Sequence, residues 1–251
     1  MNKKVNTSWG KEAEWYDEVV KNDDSYQQQV ILPNLLRLME IKMGEQILDV
    51  GCGTGFFSKE FVKAGGQVIG IDVGRELIAI AKKNVPTGKF LVASAEEMSE
   101  IASDSMNKAV IVLALQNIVD ASAAIKECDR VLKKDAQLFI VLNHPAFRVP
   151  QASSWGWDEK EKVQYRRLDS YLSEKKVKIQ MHPGENSNEV TWSFHRPLQY
   201  FFKLFNKNKL VVTRLEEWTS HRTTGGGPRK EAEDKARAEF PLFVVLCLKK
   251  A

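Results

Sequence analysis

From residue 44 to residue 142, short apolar runs alternate with stretches whose apolar residues recur at helical spacing. The runs Gln46–Val50, 67–71, 89–93, 109–113 and 137–142 are brief, rich in β-branched residues and bounded by turn residues, which is the pattern of buried strands. Between them, 56–64, Arg75–Asn84, 95–101 and 121–132 carry apolar residues on one helical side. The last has Ala121, Ala124, Ile125, Cys128 and Leu132 as its stripe. Such alternation predicts a parallel sheet covered on both faces, with ligands beyond the carboxyl ends of the strands.

After Leu142 the rhythm breaks. Residues 144–189 are rich in aromatic and charged side chains, with Pro145, Pro150 and Pro183 as breakers. Regular α/β structure resumes with a helix over 197–208, a strand over Leu210–Trp218, a Gly225-Gly226-Gly227-Pro228 loop, a charged helix to about 239 and a strand over 242–248. Residues 1–43 read as a helical lead-in. Its apolar stripe (Val30, Ile31, Leu35, Leu36, Leu38, Met39) is expected to pack on the sheet.

Of 251 residues, 43% are hydrophobic and 28% charged, enough apolar material for a full core and unlike disordered, collagen-like or disulfide-rich chains. Thirty-seven basic residues against 33 acidic ones leave +4. That charge is too small and too evenly spread to mark a nucleic-acid partner. Cys52, Cys128 and Cys247 are far apart, with no Cys/His cluster, so reduced thiols and no metal site are expected. The start of the chain has no apolar targeting core, and the longest apolar run, 109–115, is far below the roughly 20 residues that span a bilayer. A cytoplasmic protein without a membrane segment is expected.

The informative segment is Ile47-Leu48-Asp49-Val50-Gly51-Cys52-Gly53-Thr54-Gly55-Phe56-Phe57. A buried strand runs into three alternate glycines and then into a helix, which permits a tight turn at positive φ and a close ligand approach. Asp49 at the strand's end can meet a cationic group. A dinucleotide site would need glycine at the sixth position of G-x-G-x-x-G, where Phe56 stands, and Asp49 would repel a pyrophosphate. Asp72 ends the second strand, where nucleotide sites place a ribose-binding carboxylate; its other reading is an N-cap before Gly74-Arg75-Glu76.

The run LDVGCGTG followed by VIGID resembles motifs I and II of the class I S-adenosylmethionine-dependent methyltransferases. The likeness continues through 93–98, 112–118 and 131–138 and covers about 44–142. It is nearest to small-molecule enzymes that act on quinones and other metabolites. The resemblance implies a Rossmann-like, doubly wound, seven-stranded and mostly parallel sheet whose last strand runs antiparallel. The core would be 44–143, a cap insertion after the fifth strand 144–195, and the closing part of one single domain 196–251. It also implies S-adenosylmethionine as cofactor and S-adenosylhomocysteine as product. Gly51, Cys52, Gly53 and Gly55 would lie against the methionine part and Asp49 near its ammonium. Asp72 would take the ribose hydroxyls, Val73 the adenine face, Ser94 and Ala95 the adenine edge, and Val112 and Leu113 the methyl end. Ser94 stands where many relatives have Asp, which weakens that contact.

Methyl transfer from a sulfonium needs alignment, exclusion of water and, for some acceptors, removal of a proton. His144 past the fifth strand and His195 before the closing helix are the candidate bases, against plain readings as a loop histidine and a helix-start residue. Tyr16, Tyr26, Trp155, Trp157 and Tyr165 are the candidate acceptor contacts, since aromatic rings with a polar rim suit a planar organic molecule. The charges of 158–178 suggest a solvated helix rather than an anion or RNA patch. Leu113-Ala114-Leu115-Gln116 lacks the Asn-Pro-Pro-Tyr tetrapeptide of many amino-methylating enzymes, so oxygen or carbon of a small molecule is the expected target. An RNA- or protein-modifying enzyme and a non-catalytic binding protein are the rival readings.

Overall fold

The computed structural model describes residues 9–181 and 190–251; Pro183, read as a breaker, lies outside them. Seven strands form one sheet: β1 (Gln46–Val50), β2 (Gln67–Asp72), β3 (Lys89–Val92), β4 (Met106–Val112), β5 (Leu132–Asn143), β10 (Leu210–Trp218) and β11 (Phe243–Lys250). Their spatial order is β10-β11-β5-β4-β1-β2-β3. The pairs β3–β2, β2–β1, β1–β4 and β4–β5 are parallel, while β11 runs antiparallel to both β5 and β10. The sequence order reverses between β1 and β4, so their carboxyl ends diverge into a crevice.

Strand alternation builds two cores. Successive residues point to opposite faces, so Leu48, Ile111, Ile140 and Val244 meet α5 (Ala121–Val131) and α6 (Leu198–Lys207). Their neighbours Ile47, Val110, Phe139 and Val245 meet α2 (Leu32–Met39) and Phe61 of α3 (Phe56–Lys63). The lead-in is α1 (Ala13–Lys21), a wide turn over Gln27–Ile31, and α2, whose Ile31, Leu35 and Met39 side pack on the second face.

Two expected helices are absent. After β3 the chain forms an isolated bridge, Ser94 to Glu97, and then turns. Met98 and Ile101 are buried there at helical spacing. However, the backbone is tied down from α5: Glu127 accepts from the Met98 amide, and Arg130 donates to the Met98 and Ile101 carbonyls. Over 158–178 the mixed charges sit on strands and on the turns that join them. β6 (Ser153–Asp158) pairs with β7 (Val163–Leu168), and β8 (Lys175–Gln180) pairs with β9 (Val190–His195). Gly156 faces Tyr165 across the first hairpin, where any Cβ would run into the ring.

All three cysteines are free and buried. Among the described residues, no helix is long and apolar enough to cross a membrane, and no group of three His, Cys, Asp or Glu side chains could hold a metal ion.

Candidate active site

The carboxyl ends of β1, β2 and β4 open onto a cavity of about 290 Å³. The glycine turn is bent back on its neighbours: the Gly51 and Cys52 amides both donate to the Ile71 carbonyl, at 2.8 and 3.0 Å. Gly51 has φ +70°, and a Cβ there would stand 2.6 Å from Ala114 Cβ. Gly53 has φ +55°, with the Tyr16 ring 3.1 Å from where its Cβ would be. Glycine is required at both on conformation and on space. Gly51 and Gly53 line the cavity, whereas Cys52 and Gly55 do not. Gly55 instead starts α3 and abuts Ala81 of α4 (Arg75–Asn84).

Asp72 also lines the cavity. Its Oδ1 accepts the Gly74 amide at 2.8 Å and its Oδ2 accepts the Gly53 amide at 3.1 Å. The turn-capping reading and the ligand reading therefore coexist, since each carboxylate oxygen keeps a lone pair after one such bond. Burial pushes its pKa up, and the amides pull it back. Val73, Ser94, Ala95, Val112 and Leu113 line the same space. Ser94 Oγ accepts from the Glu96 amide, and Leu113 holds φ +53°. Of the described non-glycine residues in the left-handed region, Leu113 alone lines the cavity, in a strained conformation.

Asp49 is not on the cavity wall. It is buried behind the turn, with Oδ2 accepting from the Ser58 hydroxyl at 2.6 Å. Burial, and secondarily the charge of Asp72, push its pKa up to about 7. Among the described lining residues the only charged ones are Asp72 and Glu96; none is Lys, Arg or His. Gln116 Oε1 and Asn117 Oδ1, on two further lining residues, are buried without a partner. Buried acceptors without donors are costly, and together with the two carboxylates they suit a ligand that brings donors and positive charge. S-adenosylmethionine, with its ammonium, sulfonium, adenine amine and ribose hydroxyls, meets that requirement. Asp72 would hold the ribose, and the Gly51–Gly53 backbone would face the amino-acid part.

Of the five aromatic candidates, Tyr16 alone reaches the cavity, from α1. Tyr26 points its hydroxyl at Ser220 and packs edge-on to Phe243. The hairpin β6–β7 leans instead toward α7 (Lys230–Glu239) and its end. Trp155 meets Phe240, Arg229 stands over Trp157, and Trp157 donates to Glu159. Tyr165 is exposed. These rings pack or face solvent, so the acceptor contacts read from them are corrected. Sequence reading missed Trp9, Gln116, Asn143 and, from hairpin β8–β9, Ile179 and Ser193, all of which line the cavity.

The histidines are corrected as well. His144 is 2% exposed; its Nδ1 accepts the Ala146 and Phe147 amides, so Nε2 carries the proton and donates to Glu217 at 2.7 Å. Burial holds its pKa below the ordinary value despite Glu217. His195 is buried at the end of β9 with Nε2 on the Tyr171 carbonyl at 2.6 Å. Neither lines the 290 Å³ cavity, although His195 lines a smaller one beside it. His144→Ala is expected to cost about 1–3 kcal/mol of stability, the scale for stranding buried polar groups. Its turnover should stay within a few-fold of the parent once the protein is folded; urea titration and initial rates check both halves.

Residues 48–140 match the family described as Methyltransferase domain. The chain is 31% identical over 100 residues to a ubiquinone biosynthesis O-methyltransferase of Hahella chejuensis, covering 38% of this chain and 42% of that one. The chain thus spans about two fifths of that curated relative. An S-adenosylmethionine-dependent methyltransferase from Mesorhizobium loti superposes with a TM-score of 0.70 at 20% identity, covering 86% of this chain and 96% of the other. A Haloferax volcanii methyltransferase solved with the Trm112 activator gives 0.69 at 14% identity, covering 98% and 99%. The match over residues 48–140 and the likeness of the whole sheet to solved S-adenosylmethionine-dependent methyltransferases show that this chain has the class I methyltransferase fold.

Proposed function

We propose that the protein transfers a methyl group from S-adenosylmethionine to oxygen or carbon of a small organic acceptor. The observation that carries this is the cavity at the carboxyl ends of β1, β2 and β4, with Asp72 held by two backbone amides and no basic group in the described lining. Bound there, the cofactor supplies a methyl already activated on a sulfonium, so one S–CH₃ bond breaks as one bond to the acceptor forms. What remains for the chain is alignment and exclusion of water. Asp72 fixes one end of the ligand. Tyr16 closes the space over Gly53, and Ile179 and Ser193 of hairpin β8–β9 wall the acceptor side. With no histidine on the described wall of this cavity, a hydroxyl acceptor loses its proton to water or enters already ionised.

The test is incubation with S-adenosylmethionine and a panel of phenols, enols and hydroxy acids, followed by mass spectrometry of the products. The expected result is S-adenosylhomocysteine formed in step with one acceptor gaining a single methyl. Transfer only to RNA or protein would overturn the small-molecule reading.

A further inference from the structure

A second, smaller cavity of about 40 Å³ adjoins the first, and Gln116, Asn143 and Ser193 line both. Its lining also includes Arg148, Arg196 and the buried His195. Arg196 is 6% exposed; it donates to the carbonyls of Leu115, Ile118 and Val119 and bonds the Tyr200 hydroxyl, while lying over the Phe194 and Tyr200 rings. Arg148 donates to Asn143 Oδ1 at 2.8 Å and lies over Phe243. Among the described residues, neither guanidinium bonds to a carboxylate. Glu174 and Asp120 reach Arg196 only through their field, and Arg166 adds further positive charge beside Arg148.

Buried cations are ordinarily paired, because leaving water costs several kcal/mol per ion. Two unpaired guanidiniums around one small space are a standing positive charge that a planar oxyanion would neutralise with paired N–H bonds. The space exceeds what one water needs and suits a carboxylate. Charge is thereby sorted along the site: two carboxylates line the large cavity, which suits a cationic cofactor, and two guanidiniums line the small one. We propose that the pocket between Arg148 and Arg196 is a carboxylate subsite, so that the methyl acceptor is a small organic acid reaching past Gln116, Asn143 and Ser193. This rests on the methyltransferase reading above for the word acceptor, but not for the anion site itself.

The experiment is calorimetric titration of benzoate, and of benzamide as its neutral counterpart, into the protein alone and into protein saturated with S-adenosylhomocysteine. Benzoate should bind about tenfold or more tightly than benzamide, on the scale of hydrogen bonds to charged groups. Arg148→Met should remove that preference while S-adenosylhomocysteine still binds, which shows the variant folded; Arg148→Lys should restore part of it. Arg196→Met is the poorer probe, because Arg196 also holds three carbonyls. Equal affinity for the two compounds, or an unchanged preference in Arg148→Met, overturns the subsite. Acetate binding as tightly as benzoate would mark a pocket for free anions and overturn its assignment to the acceptor. If S-adenosylhomocysteine fails to bind, the cofactor reading falls, while benzoate against benzamide in the protein alone still decides the subsite.

Discussion

Asp72→Ala is expected to weaken S-adenosylhomocysteine binding by about 1.5–3 kcal/mol, roughly 10–150-fold, the scale of a hydrogen bond to a charged group. The reason lies in how little freedom the carboxylate has. It ends β2, its two oxygens are fixed by the Gly53 and Gly74 amides, and burial raises the value of any donor the ligand brings. The alanine variant also frees the glycine turn from its anchor. Asp72→Asn separates the two effects, since its single oxygen can keep one amide in place, and an intermediate loss is expected. Unchanged affinity in both variants would remove Asp72 from the site.

Asp49 gives the second large effect, on stability. Its pKa rises from an ordinary 3.8 to about 7 in the folded protein. Between those values the folded state holds a proton that the unfolded chain has released. The contribution of Asp49 is therefore complete below about pH 4, declines as pH rises toward 7, and is flat above; the span corresponds to about 4 kcal/mol. Asp49→Asn keeps an oxygen for the Ser58 hydroxyl and cannot ionise. The stability difference, variant minus parent, should grow in the variant's favour from pH 4 to pH 7, as read by urea titration across that range. A difference that stays level, or that shrinks, would show Asp49 to be ionised in the folded protein.

The parallel core was legible because buried strands are near-continuous apolar runs, and the glycine turn because its demand for positive φ is local. Gly51, Gly53, Asp72, Val73, Ser94, Ala95, Val112 and Leu113 do line one cavity. Met98 and Ile101 misled because two buried residues three apart mimic a helix, while the backbone there is held by Glu127 and Arg130 from a distant element. The hairpins were missed because the register that puts Gly156 opposite Tyr165 is a cross-strand matter. His144 could have been placed from strand parity. Neighbours at the end of β5 face opposite ways, and it is Asn143 that reaches the cavity while His144 turns to Glu217 of β10. The convergence of Arg148 and Arg196 joins the loop after β5 to the end of β9, which no local pattern records.

The most direct test of the cofactor site is a calorimetric titration of the parent protein with S-adenosylhomocysteine, run beside an identical titration with NADH. An acidic cavity, Phe56 at the sixth motif position and Asp72 at the end of β2 predict saturable one-to-one binding of the first and no heat from the second. Binding of NADH, or none of S-adenosylhomocysteine, would contradict the account.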